Sequence, residues 1–264
     1  MRETFNRQLT EMRQELVYIY ANIDLALHDA VDALSDGDKE KAKAVKAKTR
    51  EMDEHCAALE QKAFMLIATQ QPVASDLRLI QFVIYANFNL ARMSNHVRNI
   101  AKTAKRCAGR AVPGQLIDLL ASEGHLVYRV LSSCVTAIVE DDLRAASSLP
   151  VLDEPVDELY KQFFRSLATL GPDDDMDAAS RVIMASRMLE RISDNAVEIG
   201  ERLVFLLTGK RRSLDDLRDL DDDDLQEMYA ARGVGLVADR GTDEQLAHQI
   251  PELQHEGGDA SDGQ

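Results

Sequence analysis

The stretch LERISDNAVEIGERLVFLLTG, residues 189–209, decides the fold. Ala185, Leu189, Ile192, Ala196, Ile199, Leu203 and Leu206 recur at alternating spacings of four and three residues. That spacing draws an apolar seam along one side of a helix and requires a partner helix. Beside the seam stand Glu190, Asp194 and Glu198, each four residues from the next. Residues four apart stack one turn above another, with Cβ atoms about 5–6 Å apart. Three stacked carboxylates repel, so a cation is expected nearby. Arg187, Arg191 and Arg202 can supply it; a metal ion can supply it more specifically.

The same spacing recurs outward from this stretch. Phe5, Leu9, Met12, Leu16, Ile19, Ile23, Ala26, Ala30 and Ala33 predict a first long helix ending near Ser35-Asp36-Gly37. A second begins around Asp38 and stops near Gln71, because Pro72 disfavours helix in the residue before it. Ser75 or Asp76 can cap a third, which runs past Ile100 until Gly109 and Pro113-Gly114 break the chain. A fourth spans roughly Leu116 to Glu140, and a fifth runs from near Asp142 to Leu170. Pro150 and Pro155 lie inside the fifth and predict a bend or interruption, since each removes a backbone donor. A sixth runs from about Asp177 to Thr208, with Gly209 as its stop.

The two halves repeat. Val31, Ala33, Asp38, Ala42 and Asp53 match Val135, Ala137, Asp142, Ala146 and Asp157 at an offset of 104, and Arg92, Ser94 and Ile100 match Arg191, Ser193 and Ile199 at 99. The expected fold is all-α: two tandem antiparallel three-helix bundles, at 1–110 and 114–212. Residues 213–264 carry 15 Asp and Glu against 3 Arg, so most of the net charge of −15 belongs to them. A short acidic helix around LDDLRDLDDDDLQEM aside, this tail is expected to be mostly disordered or loosely attached.

The remaining body is nearly neutral, with no basic face of the kind nucleic-acid binding needs. Cys56, Cys107 and Cys134 are far apart and form no CxxC, so they are expected to pack as reduced, small apolar side chains. The N-terminus has no apolar signal region, and the longest uncharged runs are 13 residues, as in Leu79 to Ala91. A membrane-spanning helix needs about 18. A soluble, cytoplasmic protein is expected. There is no nucleophile elbow, P-loop or dinucleotide fingerprint. Glu-x-x-His, the di-iron oxidase signature, occurs once, at Glu252 and His255, outside any bundle.

The acids of the sixth helix have a counterpart on the fifth. If the two are antiparallel neighbours, Asp153, Asp157, Glu190, Asp194 and Glu198 converge on one face. Such an all-oxygen set suits hard cations, including Mg, Mn, Ca and ferric iron. A solvated charged face has the same spacing.

QQPVASDLR at 70–78, the twice-used three-helix unit, LERISDNAVEI and the following GERLVFLLTG together resemble the PhoU family over about 1–212. The resemblance implies two related three-helix bundles, often dimeric, and a regulator, not an enzyme. It implies a negative regulator of the phosphate-starvation response. That regulator links the ATPase subunit of a phosphate ABC transporter to a sensor histidine kinase and meets the membrane only through these partners. It implies, for some members, multinuclear metal clusters on motifs of the form Glu/Asp-x-x-x-Asp. Here Asp153-x-x-x-Asp157 and Glu190-x-x-x-Asp194 keep that form. In the first half, Ala91, Arg92, Met93, Ser94 and Asn95 stand where the family has Glu-Arg-Ile-Gly-Asp, position 49 is Thr, and Arg98 adds a positive charge. Any Fe, Mn or Mg ion, or cluster, is therefore expected in the second half, permitted but not required. A metal-binding or metal-storing bundle with no signalling role is the alternative.

Overall fold

The computed structural model describes residues 2–72, 74–211, 216–217, 220 and 222–231. Among them are seven helices and no strand: α1 Arg2–Asp36, α2 Lys39–Gln70, α3 Ala74–Cys107, α4 Gly114–Glu140, α5 Leu143–Leu167, α6 Met176–Thr208 and α7 Asp222–Ala231. The repeat is visible in the turns. Asp38 accepts from the amides of Glu40 and Lys41, and Asp142, 104 residues on, accepts from those of Arg144 and Ala145. Each thereby satisfies two of the four amides that a helix start leaves unpaired. The α4–α5 turn reverses direction through Asp141 in the left-handed region, φ 52°, and Gly209 ends α6 at φ 70°.

The seams pack as the spacing predicts. α1, α2 and α3 form one triad, and α4, α5 and α6 a second. The triads join through α3 against α6, as closely as helices pair within a triad, and more lightly through α1 against α4. The buried side chains form one continuous cluster. α2 and α5 lie outermost, each covering its own triad.

One expectation is corrected. α5 is one uninterrupted helix that contains both Pro150 and Pro155. Pro150 removes the donor for the Ala146 carbonyl, and that oxygen lies against α6, 3.1 Å from where a Cβ on Gly200 would sit. The helix is held there by packing rather than by its own ladder. The short acidic helix is present as α7, which packs on α5 and α6, and Leu217 and Met228 are buried in the core cluster. The expectation for 232–264 lies outside the described residues. All three cysteines are free and buried, and burial pushes the thiols of Cys56 and Cys134 up to about 12, which keeps them inert. No described helix is long and apolar enough to cross a membrane.

Candidate functional site

The antiparallel pairing of α5 with α6 brings all five predicted carboxylates onto one face. Asp153 is buried; Asp157, Glu190, Asp194 and Glu198 are half-buried. Desolvation by burial raises the pKa of Asp153 to about 6, and Asp157, Asp194 and Glu190 push it the same way. Burial likewise raises Glu190 and Asp194, each reinforced by neighbouring acids and opposed by Arg191 and Arg187. The face stores carboxylates at a cost that an added cation would relieve.

The side chains do not aim at a common point. The Ser193 hydroxyl donates to Asp153. Arg191 reaches Asp194 at 3.2 Å and Glu190 at 3.4 Å. Tyr85, from the other triad, donates to Glu198 at 3.2 Å. Arg187 bonds the Tyr160 hydroxyl at 3.1 Å. Among the described residues no three acids, histidines or cysteines converge as metal ligands do. The donor chemistry fits a hard cation, and Glu190 Oε2, the oxygen that faces Arg191, is buried without a hydrogen bond. Coordination needs these side chains to turn from their present partners.

The first half shows the same position filled differently. Ser94, the equivalent of Ser193, donates to Asp53 at 2.9 Å and to the Thr49 carbonyl at 3.0 Å. Arg98 then closes the site, donating to the Thr49 hydroxyl and carbonyl, to Asn95 at 3.1 Å and to Asp53. A guanidinium stands where the second half has Val197 and surplus negative charge. With Ala91 and Cys56 in place of Glu190 and Tyr160, a mostly apolar groove of about 470 Å³ opens between α2 and α3. These residues do not fit a metal ion.

Four participants lie outside the set that the sequence points to. Ser193 and Ser94 were read only as repeat markers. Tyr85 arrives from the other triad, and nothing in either repeat announces that crossing. Glu123 lies in the core beneath Glu190, fully buried. Its signal was present: it falls on the α4 seam, at the position that Ile19 occupies in α1.

The PhoU domain model matches the chain twice, at residues 19–104 and 120–203. The phosphate-specific transport system accessory protein PhoU homolog 1 of Methanothermobacter thermautotrophicus is 31% identical over 208 residues, covering 77% of this chain and 94% of that protein. The corresponding Clostridium acetobutylicum homolog is 29% identical over 218 residues, covering 81% and 99%. The crystal structure of PhoU from Pseudomonas aeruginosa superposes with a TM-score of 0.71 at 28% identity, over 78% of this chain and all of that one. A phosphate transport system regulatory protein PhoU from Streptococcus pneumoniae gives 0.73 at 25%, over 80% and all of it. With two matched segments spanning more than half its length on a fold of paired three-helix triads, the chain belongs to the PhoU domain family.

Proposed function

We propose that the protein is a cytoplasmic regulator of phosphate uptake. In this reading it links the ATPase subunit of a phosphate ABC transporter to a sensor histidine kinase and represses the starvation response when phosphate is plentiful. It works as an adaptor, not an enzyme, and as a homodimer. The observation that carries this reading is the match of both halves to the PhoU domain, with near-complete coverage of relatives described as accessory to phosphate-specific transport. Deleting the gene should leave starvation genes expressed in high phosphate. Silent genes in that strain, with no second family member present, would refute the role.

A second reading, favoured by the mutual strain of the acids on α5 and α6, is that this face binds Fe, Mn or Mg. Asp153, Asp157, Glu190, Asp194 and Glu198 supply the oxygens and α2–α3 supplies none. Elemental analysis of protein purified without chelators should find metal that Asp194→Asn, which copies Asn95, removes. Metal content unchanged by that substitution would refute the assignment. A metal store with no signalling role would keep its metal and leave starvation genes under normal control in the deletion strain.

A further inference from the structure

Two of the motifs meet at one end of the α3–α6 pair. QQPVASDLR (70–78) turns α2 into α3, and GERLVFLLTG (200–209) finishes α6. Between them lies a cavity of about 20 Å³ lined by Arg78, Gln81, Phe82, Tyr85, Arg202 and Phe205. Arg78 Nη1 is 3.9 Å from where a Cβ on Gly209 would sit, so the start of α3 reaches the end of α6 here. Arg202 lies 4.0 Å over the Tyr85 ring, and Arg211 5.8 Å from the Phe205 ring. Two guanidinium groups therefore line one small pocket, and a third stands near Phe205 of its wall.

Their charge is not answered from within. Among the described residues none of the three arginines is in an ion pair, and Arg78 Nε is buried with no hydrogen-bond partner. The acids closest along the chain are Asp76, Glu198 and Glu201. Glu198 is engaged by the Tyr85 hydroxyl. Glu201 is held above the usual carboxylate range by burial, against the pull of Arg202. The start of α3 and the end of α6 adjoin, so their helix dipoles, about half a charge each and of opposite sign, roughly cancel. Lys210, exposed just beyond α6, adds to the excess.

We propose that this pocket binds a phosphate group, with Arg78 and Arg202 as donors and Arg211 at the mouth. The cavity has room for one water-sized group, hence for one oxygen of a tetrahedral anion, with the remaining oxygens outside facing Arg211. A guanidinium presents paired donors that match two oxyanion oxygens. The walls of Phe82 and Phe205 displace water and strengthen those bonds. The same chemistry serves free inorganic phosphate and a phosphate monoester headgroup. This goes beyond the regulatory role and does not depend on it.

Calorimetric titration of the full chain with inorganic phosphate tests the site, beside pelleting with vesicles containing phosphatidic acid. Arg78→Met and Arg202→Met should each weaken binding about tenfold or more, the usual effect of losing a charged hydrogen bond. The double variant should lose saturable binding, while Arg165→Met, exposed on α5, should leave it intact. If Arg78→Met does not fold, Arg202→Lys supplies the test, because it keeps the charge and loses the fork; its loss should be smaller than that of Arg202→Met. Response to inorganic phosphate identifies the free anion; vesicle binding without that response identifies the headgroup. No saturable response to either, or undiminished binding in the double variant, overturns the proposal.

Discussion

Glu123 is the side chain least at ease in its surroundings. Neither carboxylate oxygen has a hydrogen bond of full geometry. Burial raises its pKa from 4.5 to about 8, nearby Ser186 opposes the shift, and Glu190 reinforces it. An acid raised in the folded state is protonated there while the unfolded chain is ionised, so stability must fall as pH rises between the two values. Asp153 contributes a slope of the same sign that ends at about 6. His28 and His96, lowered from 6.5 by burial, oppose the slope below that value, so the upper part of the window, towards about 8, reports Glu123. There the slope approaches about 1.4 kcal/mol per pH unit, the value for one proton. In Glu123→Gln that slope should vanish, leaving the variant the more stable at pH 8. Denaturant titrations of both proteins across this range are the measurement, and an unchanged slope would show that Glu123 is not the group responsible.

Among the elements, α5 and α6 approach closely at Gly200. A Cβ on Gly200 would lie 2.4 Å from Leu149 Cδ1 and 3.1 Å from the Ala146 carbonyl oxygen. The leucine tip can swing aside; the carbonyl, left free by Pro150, belongs to the backbone. Gly200→Ala should cost about 1–3 kcal/mol by overpacking. The equivalent positions in the first half are Ala101 and Val45. Gly200→Ala with Leu149→Val copies that pair and should recover part of the loss, which a double-mutant cycle in thermal or chemical denaturation would measure.

The same contact marks how far the sequence could be read. The seams, the two aspartate caps and the column Glu190, Asp194, Glu198 are local periodicities, and they were legible. So was the loss of acids at Ala91 and Asn95. The effect of the prolines was not, because it depends on what faces the vacated carbonyl. Nor was the burial of Leu217 and Met228, since two apolar side chains among many acids make a weak pattern. The Arg78 pocket and the Tyr85–Glu198 bond both cross between triads, and a repeat describes each half without saying how the halves meet.

At the scale of the whole molecule, the order of layers has a consequence for motion. α3 and α6 are covered by helices of both triads, whereas α2 is held by its own triad and α5 by its own triad and lightly by α7, and α5 also lacks two amides of its ladder. Elements with fewer contacts open first in sub-global fluctuations. Native-state hydrogen exchange should find the most persistent amides in α3 and α6, with α5 exchanging earlier; equal protection of α5 and α6 would contradict this. The two candidate sites then differ in lifetime. Asp153 and Asp157 ride on the helix that departs, so the acidic face is dismantled and rebuilt with every excursion of α5. The arginine pocket rests on α3 and α6 and persists through it.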